Sequence, residues 1–174
     1  LALFKSSGDQ DAGDDSAECE EYIGQVYLAN SEYDLALKSL LPIPSYWERK
    51  HHESDAAQVK ALIGEVYQRQ GKIELARANY QAALKSFHAG APVKRAAVAF
   101  ALGRLELNEH NYDAAENYLK ESIDTTEDIR SDLYSRMLAT AFSASVHDRY
   151  ETYIECLMQK HKRQPARGLE LKAF

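Results

Sequence analysis

The sequence lacks any apolar run approaching the 18 or so residues that a membrane-spanning helix needs. It also lacks the charged and then apolar leader of a secretory signal. Hydrophobic residues make up 45% of its 174 positions, which is ordinary for a chain able to bury a core of its own. We therefore expect a cytoplasmic protein with no membrane partner.

Cysteine is scarce, because the chain has only Cys19 and Cys156. Two isolated cysteines suit a reducing compartment, and no Cys or His pair has the spacing of zinc ligands. The adjacent His51 and His52 would point about 100° apart on a helix. They fit a solvated helix start better than a metal site, so we expect no metal and no cofactor.

A broad basic face is also missing, and the formal charge of −6 argues against direct nucleic-acid binding. Seven acids and no base lie within residues 9–21. Residues 9–14 superficially resemble a calcium loop, but Gly13 comes one position before the glycine that such a loop requires. An exposed acidic linker is the better interpretation. Residues 160–172 are rich in bases, which favours either a solvated helix end or a contact for an acidic partner.

Catalytic motifs are absent too: the sequence has no nucleophile elbow, phosphate loop or paired-carboxylate pattern. We therefore predict no catalytic residue and no enzymatic activity.

What the sequence does contain is an internal repeat. Gly24, Gly64 and Gly103 lie 40 and 39 residues apart, and the residues at +3, +9, +12 and +16 from each glycine correspond between blocks. The blocks are Gly24, Tyr27, Tyr33, Ala36, Leu40; Gly64, Tyr67, Ile73, Ala76, Tyr80; and Gly103, Glu106, Tyr112, Ala115, Leu119. A period of this length indicates a solenoid.

Each block reads as two helices joined by a tight turn. In the second block, apolar residues recur with helical spacing before and after Gly71, a residue suited to ending a helix. A glycine inside a helix costs about 1 kcal/mol relative to alanine. We expect the repeated glycine and the alanine at +12 to let the paired helices approach closely, with bulky residues filling the space around them.

Turn residues support the same division. Pro42 and Pro44 should stop the second helix of the first block. Gly90 and Pro92 should end one helix and open the next. Thr125 or Thr126 is a candidate N-cap for a further helix, with acidic residues in its first turn.

The order of glycine, tyrosine, turn glycine, alanine and bulky residue resembles the tetratricopeptide repeat, and the second block carries it best, with Gly64, Tyr67, Gly71, Ala76 and Tyr80. The blocks are longer than the usual 34-residue unit, like those of kinesin light chains, cell-polarity adaptors and bacterial peptide-sensing regulators. The resemblance implies an all-α fold: a right-handed superhelical solenoid of stacked antiparallel helix hairpins.

The expected organisation has three clear repeats and less regular ends. The predicted segments are 1–15 (end of a preceding repeat plus acidic linker), 16–53, 54–91 and 92–126 (repeats), 127–164 (degenerate repeat or cap) and 165–174 (start of a further helix or tail). We interpret the chain as a piece of a longer protein. The third block departs at Glu106 and His110. The fourth places Ala141 at the glycine position and Tyr150 after the turn, with Tyr153 at a small-residue site.

The resemblance also places four positions of each first helix in a concave groove. The predicted peptide-binding residues are Gln25, Glu65, Arg69, Phe100, Arg104, Asn108 and Phe142. Arginines would pair with acidic side chains, amides would bond the peptide backbone and phenylalanines would accept apolar groups. Packing against the adjacent repeat is the alternative for the phenylalanines and arginines. The Lys and Asn set that chaperone-binding members use for a terminal carboxylate is missing.

Three functions remain open at this stage. The first is a non-catalytic scaffold that binds a peptide or helix of another protein. The second is a peptide-sensing module of a larger bacterial regulator, and the third is a structural spacer in an assembly, with self-association left open.

Overall fold

The computed structural model describes the backbone of residues 2–87, 91–133 and 139–163 and, within these, the side chains of residues 13–87, 91–129 and 146–163. The described backbone forms eight α-helices and no strand. They are α1 (Ala2–Ala29), α2 (Tyr33–Leu40), α3 (Ile43–Arg49), α4 (Glu53–Arg69), α5 (Ile73–Ser86), α6 (Pro92–Asn108), α7 (Tyr112–Leu133) and α8 (Ala139–Arg163).

The chain divides into two compact units, Leu1–Ser86 and Phe87–Phe174. We call them the N-terminal unit, with α1 to α5, and the C-terminal unit, with α6 to α8. The N-terminal unit contains the hairpins α1–α2 and α4–α5, and α3 packs against α4. The C-terminal unit contains the hairpin α6–α7, on which α8 packs.

The turn of each hairpin has the same backbone conformation. Ser31, Gly71 and His110 occupy the same place in the three blocks, and their φ angles are 63°, 72° and 61°. Beyond Gly71, the N–H of Lys72 donates to the carbonyl of Tyr67 at 2.9 Å, and equivalent hydrogen bonds occur in the other two turns. This is the Schellman arrangement, which satisfies carbonyls at a helix end. A left-handed residue at this point is therefore the shared requirement, and glycine meets it only in the second block.

The repeated glycines face bulky residues rather than the alanines. A methyl group on Gly64 would lie 2.9 Å from Cδ1 of Tyr80, which is too close for carbon atoms. Each glycine therefore leaves room for the side chain at +16, while the alanine at +12 is fully buried nearby. The facing pairs are Gly24 with Leu40, Gly64 with Tyr80, and Gly103 with Leu119. Close approach of the helices was expected, with bulky residues at +3, +9 and +16 filling the space around it, and the +16 residue is the one that lies directly against each glycine.

The prolines act as expected. Helix α2 ends at Leu40, and Pro42 is the N-cap of the short helix α3. Pro92 opens α6 in its first turn, while Gly90 lies outside the described residues. His51 closes α3 with φ 60°, and His52 precedes α4, its ring stacked 5.4 Å from that of Trp47.

The prediction of an acidic linker at the N-terminus is wrong, because α1 is helical from Ala2 to Ala29. Asp14, inside the acidic stretch, accepts hydrogen bonds from Lys50 and from the hydroxyl of Tyr46, the latter at 2.7 Å. These hydrogen bonds lower the pKa of the Asp14 carboxyl. One acid of the stretch therefore attaches α1 to the α3 region.

The expected N-cap at Thr125 or Thr126 is also wrong. Both residues lie inside α7, which continues to Leu133, beyond the repeat boundary predicted after residue 126. The Thr126 side chain is buried, and its hydroxyl donates to the carbonyl of Ser122 at 2.6 Å. An N-cap pattern occurs here without a helix end, because the helix is stabilised by burial against its neighbours.

A single helix occupies most of the fourth block. Helix α8 runs unbroken from Ala139 to Arg163, so no turn precedes Tyr150 and the hairpin suggested by the alignment does not form. Tyr153, at the predicted small-residue site, packs against a buried cluster that includes Leu119 and Cys156. The cap alternative for this segment stays a prediction, as do the other repeat boundaries. In the part of the chain described, no helix is long and apolar enough to cross a bilayer.

Candidate binding surface

In the N-terminal unit, the predicted groove residues Gln25, Glu65 and Arg69 already have hydrogen-bond partners within the protein. The side-chain amide of Gln25 donates to Glu21 at 3.0 Å, and Gln58 of α4 donates to the same carboxylate at 2.5 Å. Arg69 donates to Glu65, one turn earlier on α4, at 3.2 Å. Its side chain nevertheless remains 62% exposed. Glu21 therefore links α1 to α4. Arg69 is more exposed than Gln25 and Glu65, the other two predicted groove residues of this unit.

In the C-terminal unit, the ring of Phe100 lies between two cations. The guanidinium carbon of Arg104 is 5.7 Å from the ring centroid, and that of Arg149 on α8 is 5.8 Å away. Both distances are within the range of cation–π attraction. Phe100 also packs against the buried cluster around Leu119. The ring thus joins α6 to α8 while remaining partly accessible.

Arg149 is buried within the C-terminal unit and belongs to a polar chain. It is 8% exposed, and its Nη1 donates to Thr126 at 2.6 Å. Ser122 continues the chain by donating to the carbonyl of Ala96 at 2.7 Å. Nε of Arg149 has no hydrogen-bond partner among the described residues. Desolvation lowers the pKa of this guanidinium, which nevertheless stays charged.

Arg104 and Asn108 line a cleft between α6 and α8, with a volume of about 290 Å³. Leu107 completes the α6 wall, and four polar residues of α8 form the other: Asp148, Glu151, Thr152 and Glu155. The α8 wall was not predicted from the sequence, because a turn was expected in this region. On one continuous helix, these four polar residues are spaced i, i+3, i+4 and i+7 and therefore share a face. That spacing is the sequence signal from which the α8 wall could have been predicted. The side chain of Phe142, the last predicted residue, lies outside the described residues.

A second cleft, of about 440 Å³, lies at the start of α7 and includes Lys160 and Arg163 from the basic end. Lys160 is 8% exposed, and its ammonium donates to Asp113 at 2.6 Å and to Glu116 at 2.5 Å. Burial lowers the pKa of Lys160, but these hydrogen bonds outweigh it and the net direction is upward. The first base of the segment is therefore an internal anchor of α8 and does not belong to a solvated end.

The third block contains a buried acid where the others have tyrosine. Glu106 is 3% exposed, and Asn111, just beyond the turn, donates its side-chain amide to it at 2.7 Å. A carboxylate is tolerated in the core here because it is hydrogen-bonded. It is a structural replacement for the tyrosine and lies next to the turn at His110.

Among the described residues, no group of three His, Cys, Asp or Glu side chains is placed so that it could bind a metal ion. Cys156 is fully buried, and desolvation raises the pKa of its thiol to about 11. Since the thiolate is the reactive form, this cysteine is poorly suited to nucleophilic catalysis.

Comparison with known proteins connects this architecture to a family. Residues 55–128 match the tetratricopeptide repeat family, whereas no curated protein matches the sequence. Among solved structures, the chain is similar to BtubC (BKLC) from P. vanneervenii, with a TM-score of 0.71 and 15% identity over 90% of this chain. It spans only 61% of the length of BtubC. That likeness shows an all-α helical-repeat solenoid fold, as predicted, and the family match supports repeats of the tetratricopeptide kind in residues 55–128.

Proposed function

We propose that this chain is a non-catalytic interaction scaffold that binds a peptide or a helix of another protein. The repeat family supports an interaction role, since arrays of this kind expose extended surfaces built from successive repeats. The α6–α8 cleft is the single observation that carries the proposal. Arg104 and Asn108, which the family resemblance implies to be groove residues, both line this cleft, and α8 forms its other wall.

The free state of both cysteines agrees with a reducing compartment such as the cytoplasm, which we propose as the location. The proposed peptide contacts are Arg69 and Gln25 in the N-terminal unit, and Phe100, Arg104 and Asn108 in the C-terminal unit. Arg69 would exchange its solvent-exposed pairing with Glu65 for a ligand contact at little cost, because exposed pairs contribute only about 0–1 kcal/mol.

Photo-crosslinking tests where a peptide binds on the protein, without changing a charge in the α6–α8 cleft. We would select binders from a phage-displayed library of random peptides on the immobilised protein. Benzoylphenylalanine would then replace Asn108, with Leu75 as the matched control. Both residues are exposed, but Leu75 lies on α5, the second helix of its hairpin.

We expect selected peptides to crosslink at Asn108 and not at Leu75. Crosslinking confined to Leu75 would reject the groove while leaving an interaction role. Failure to enrich any peptide above an albumin-coated surface would reject peptide binding itself.

A further inference from the structure

The cleft between α6 and α8 has walls of opposite charge. Its α6 wall presents one guanidinium and one amide, whereas its α8 wall presents three carboxylates and one hydroxyl. The lining therefore carries a formal charge of −2, from three acids and one arginine. Arg104 was expected to pair with acidic side chains of a peptide, but the cleft that it lines is predominantly acidic.

Arg104 on the α6 wall forms no ion pair with the described carboxylates of the α8 wall. Among the described residues, Arg104, Asp148 and Glu155 form no ion pair, and the Arg104 guanidinium lies over Phe100. Glu151 forms an ion pair with His147 on its own helix, at 3.1 Å, and both side chains are mostly exposed. The walls are thus separated by a gap that a ligand can enter, with carboxylates ready to accept hydrogen bonds.

We propose that this cleft is a subsite for a lysine or arginine side chain of an extended peptide, an inference that rests on the proposed peptide-binding function. A cationic head group beside Glu151 and either Asp148 or Glu155 would make charge-assisted hydrogen bonds with carboxylates one helical turn apart, which repel one another in the free protein. The stripe from Asp148 to Glu155 is about 10 Å long, because a helix rises about 1.5 Å per residue. About three residues of an extended peptide match that length.

The opposite wall suits the peptide backbone. The Asn108 side chain both donates and accepts hydrogen bonds, and Arg104 donates only. Both can therefore bind main-chain carbonyls while the basic side chain faces α8. The cleft volume of about 290 Å³ lies at the lower end of ligand-pocket sizes, about 300–1,000 Å³. It suits one long side chain and its flanking backbone better than a folded domain.

The test uses the peptides selected on the wild-type protein. Sequencing should show Lys and Arg enriched over Asp and Glu relative to the unselected library. A fluorescein-labelled peptide from that pool would then be titrated by anisotropy. The acid-neutralised variant combines Asp148→Asn, Glu151→Gln and Glu155→Gln, and we expect it to bind at least about tenfold more weakly.

A matched variant controls for net charge. Asp15→Asn, Glu18→Gln and Glu20→Gln remove the same charge from exposed positions of α1 in the N-terminal unit. We expect this variant to bind like the wild type, and circular dichroism to show unchanged folding of both.

The outcomes separate this inference from the proposed function. If selected peptides crosslink at Asn108 but show no basic enrichment, or bind the acid-neutralised variant unchanged, the basic subsite is rejected and peptide binding stands. If both triple variants weaken binding equally, the effect is general charge and the subsite is also rejected. If no peptide is enriched, both proposals fail.

Discussion

Individual residues of this chain are constrained by the helix facing them. Gly103 illustrates the constraint most strongly, because a methyl group there would lie 2.7 Å from Cγ of Leu119 and 3.1 Å from the backbone nitrogen of the same residue. A side chain can rotate away from a clash, but a backbone atom moves only with its helix. The glycine therefore determines how closely α6 and α7 approach.

We expect Gly103→Ala to lower the free energy of unfolding despite the better helix propensity of alanine. The propensity gain is about 1 kcal/mol, whereas overpacking a core costs about 1–3 kcal/mol. Guanidinium denaturation followed by circular dichroism measures the difference. In a double-mutant cycle, the cost of Leu119→Ala should be smaller in the Gly103→Ala protein than in the wild type. Additive costs would show that the two positions are not in steric conflict.

At the scale of helices, α8 joins the α6–α7 hairpin through both apolar and polar contacts. Leu157 and Cys156 are fully buried, and Lys160 binds two carboxylates of α7 near the end of the helix. Arg149 is the costly member, since its buried guanidinium has a hydroxyl partner and no carboxylate partner among the described residues. We expect a buried charge of this kind to favour one arrangement of α8 at the expense of stability.

We expect Thr126→Val to destabilise the C-terminal unit by about 1–3 kcal/mol, because valine removes the hydrogen-bond acceptor of the Arg149 guanidinium. Adding Arg149→Met should restore much of that loss, since it replaces a buried, unsatisfied cation by an apolar chain. Urea denaturation of the wild type, both single variants and the double variant measures the coupling. A double variant that is less stable than Thr126→Val alone would contradict this account of the polar chain.

At the scale of the whole molecule, each compact unit contains its own spectroscopic or chemical reporter. Trp47, the single tryptophan, is buried in the N-terminal unit, and Cys156 is buried in the C-terminal unit. In repeat proteins, stability is approximately a sum of local terms and neighbour interactions, so one part can be weakened selectively. The two reporters therefore allow the stability of the units to be compared in one chain.

We expect Leu119→Ala to destabilise the C-terminal unit preferentially. Loss of a fully buried leucine costs about 2–5 kcal/mol. In a denaturant titration, labelling of Cys156 should begin at a lower concentration than in the wild type, with a smaller shift in Trp47 emission. Cys19→Ser removes the exposed thiol, so labelling then reports Cys156 alone. Equal shifts of both reporters would indicate that the units unfold as one.

The helix hairpins and the repeat family they resemble could be predicted from local sequence patterns. The spacing from Gly24 to Gly103 and the helical apolar patterns depend on local geometry and on contacts between neighbouring helices, which recur in similar form in each block. Turn position was predictable for the same reason, although Ser31 and His110 occupy a left-handed conformation that glycine adopts more easily.

The extent of α7 and α8 and the composition of the α6–α8 cleft depend on packing between helices and could not be predicted from local patterns. Thr126 has the chemistry of an N-cap, yet burial and its bond to Arg149 place it inside a helix. Arg104 was identified from its place in the repeat, but its acidic neighbours Asp148 and Glu155 lie more than 40 residues further along the chain. Local periodicity specifies helices, whereas the charge of a cleft depends on which distant side chains packing brings together.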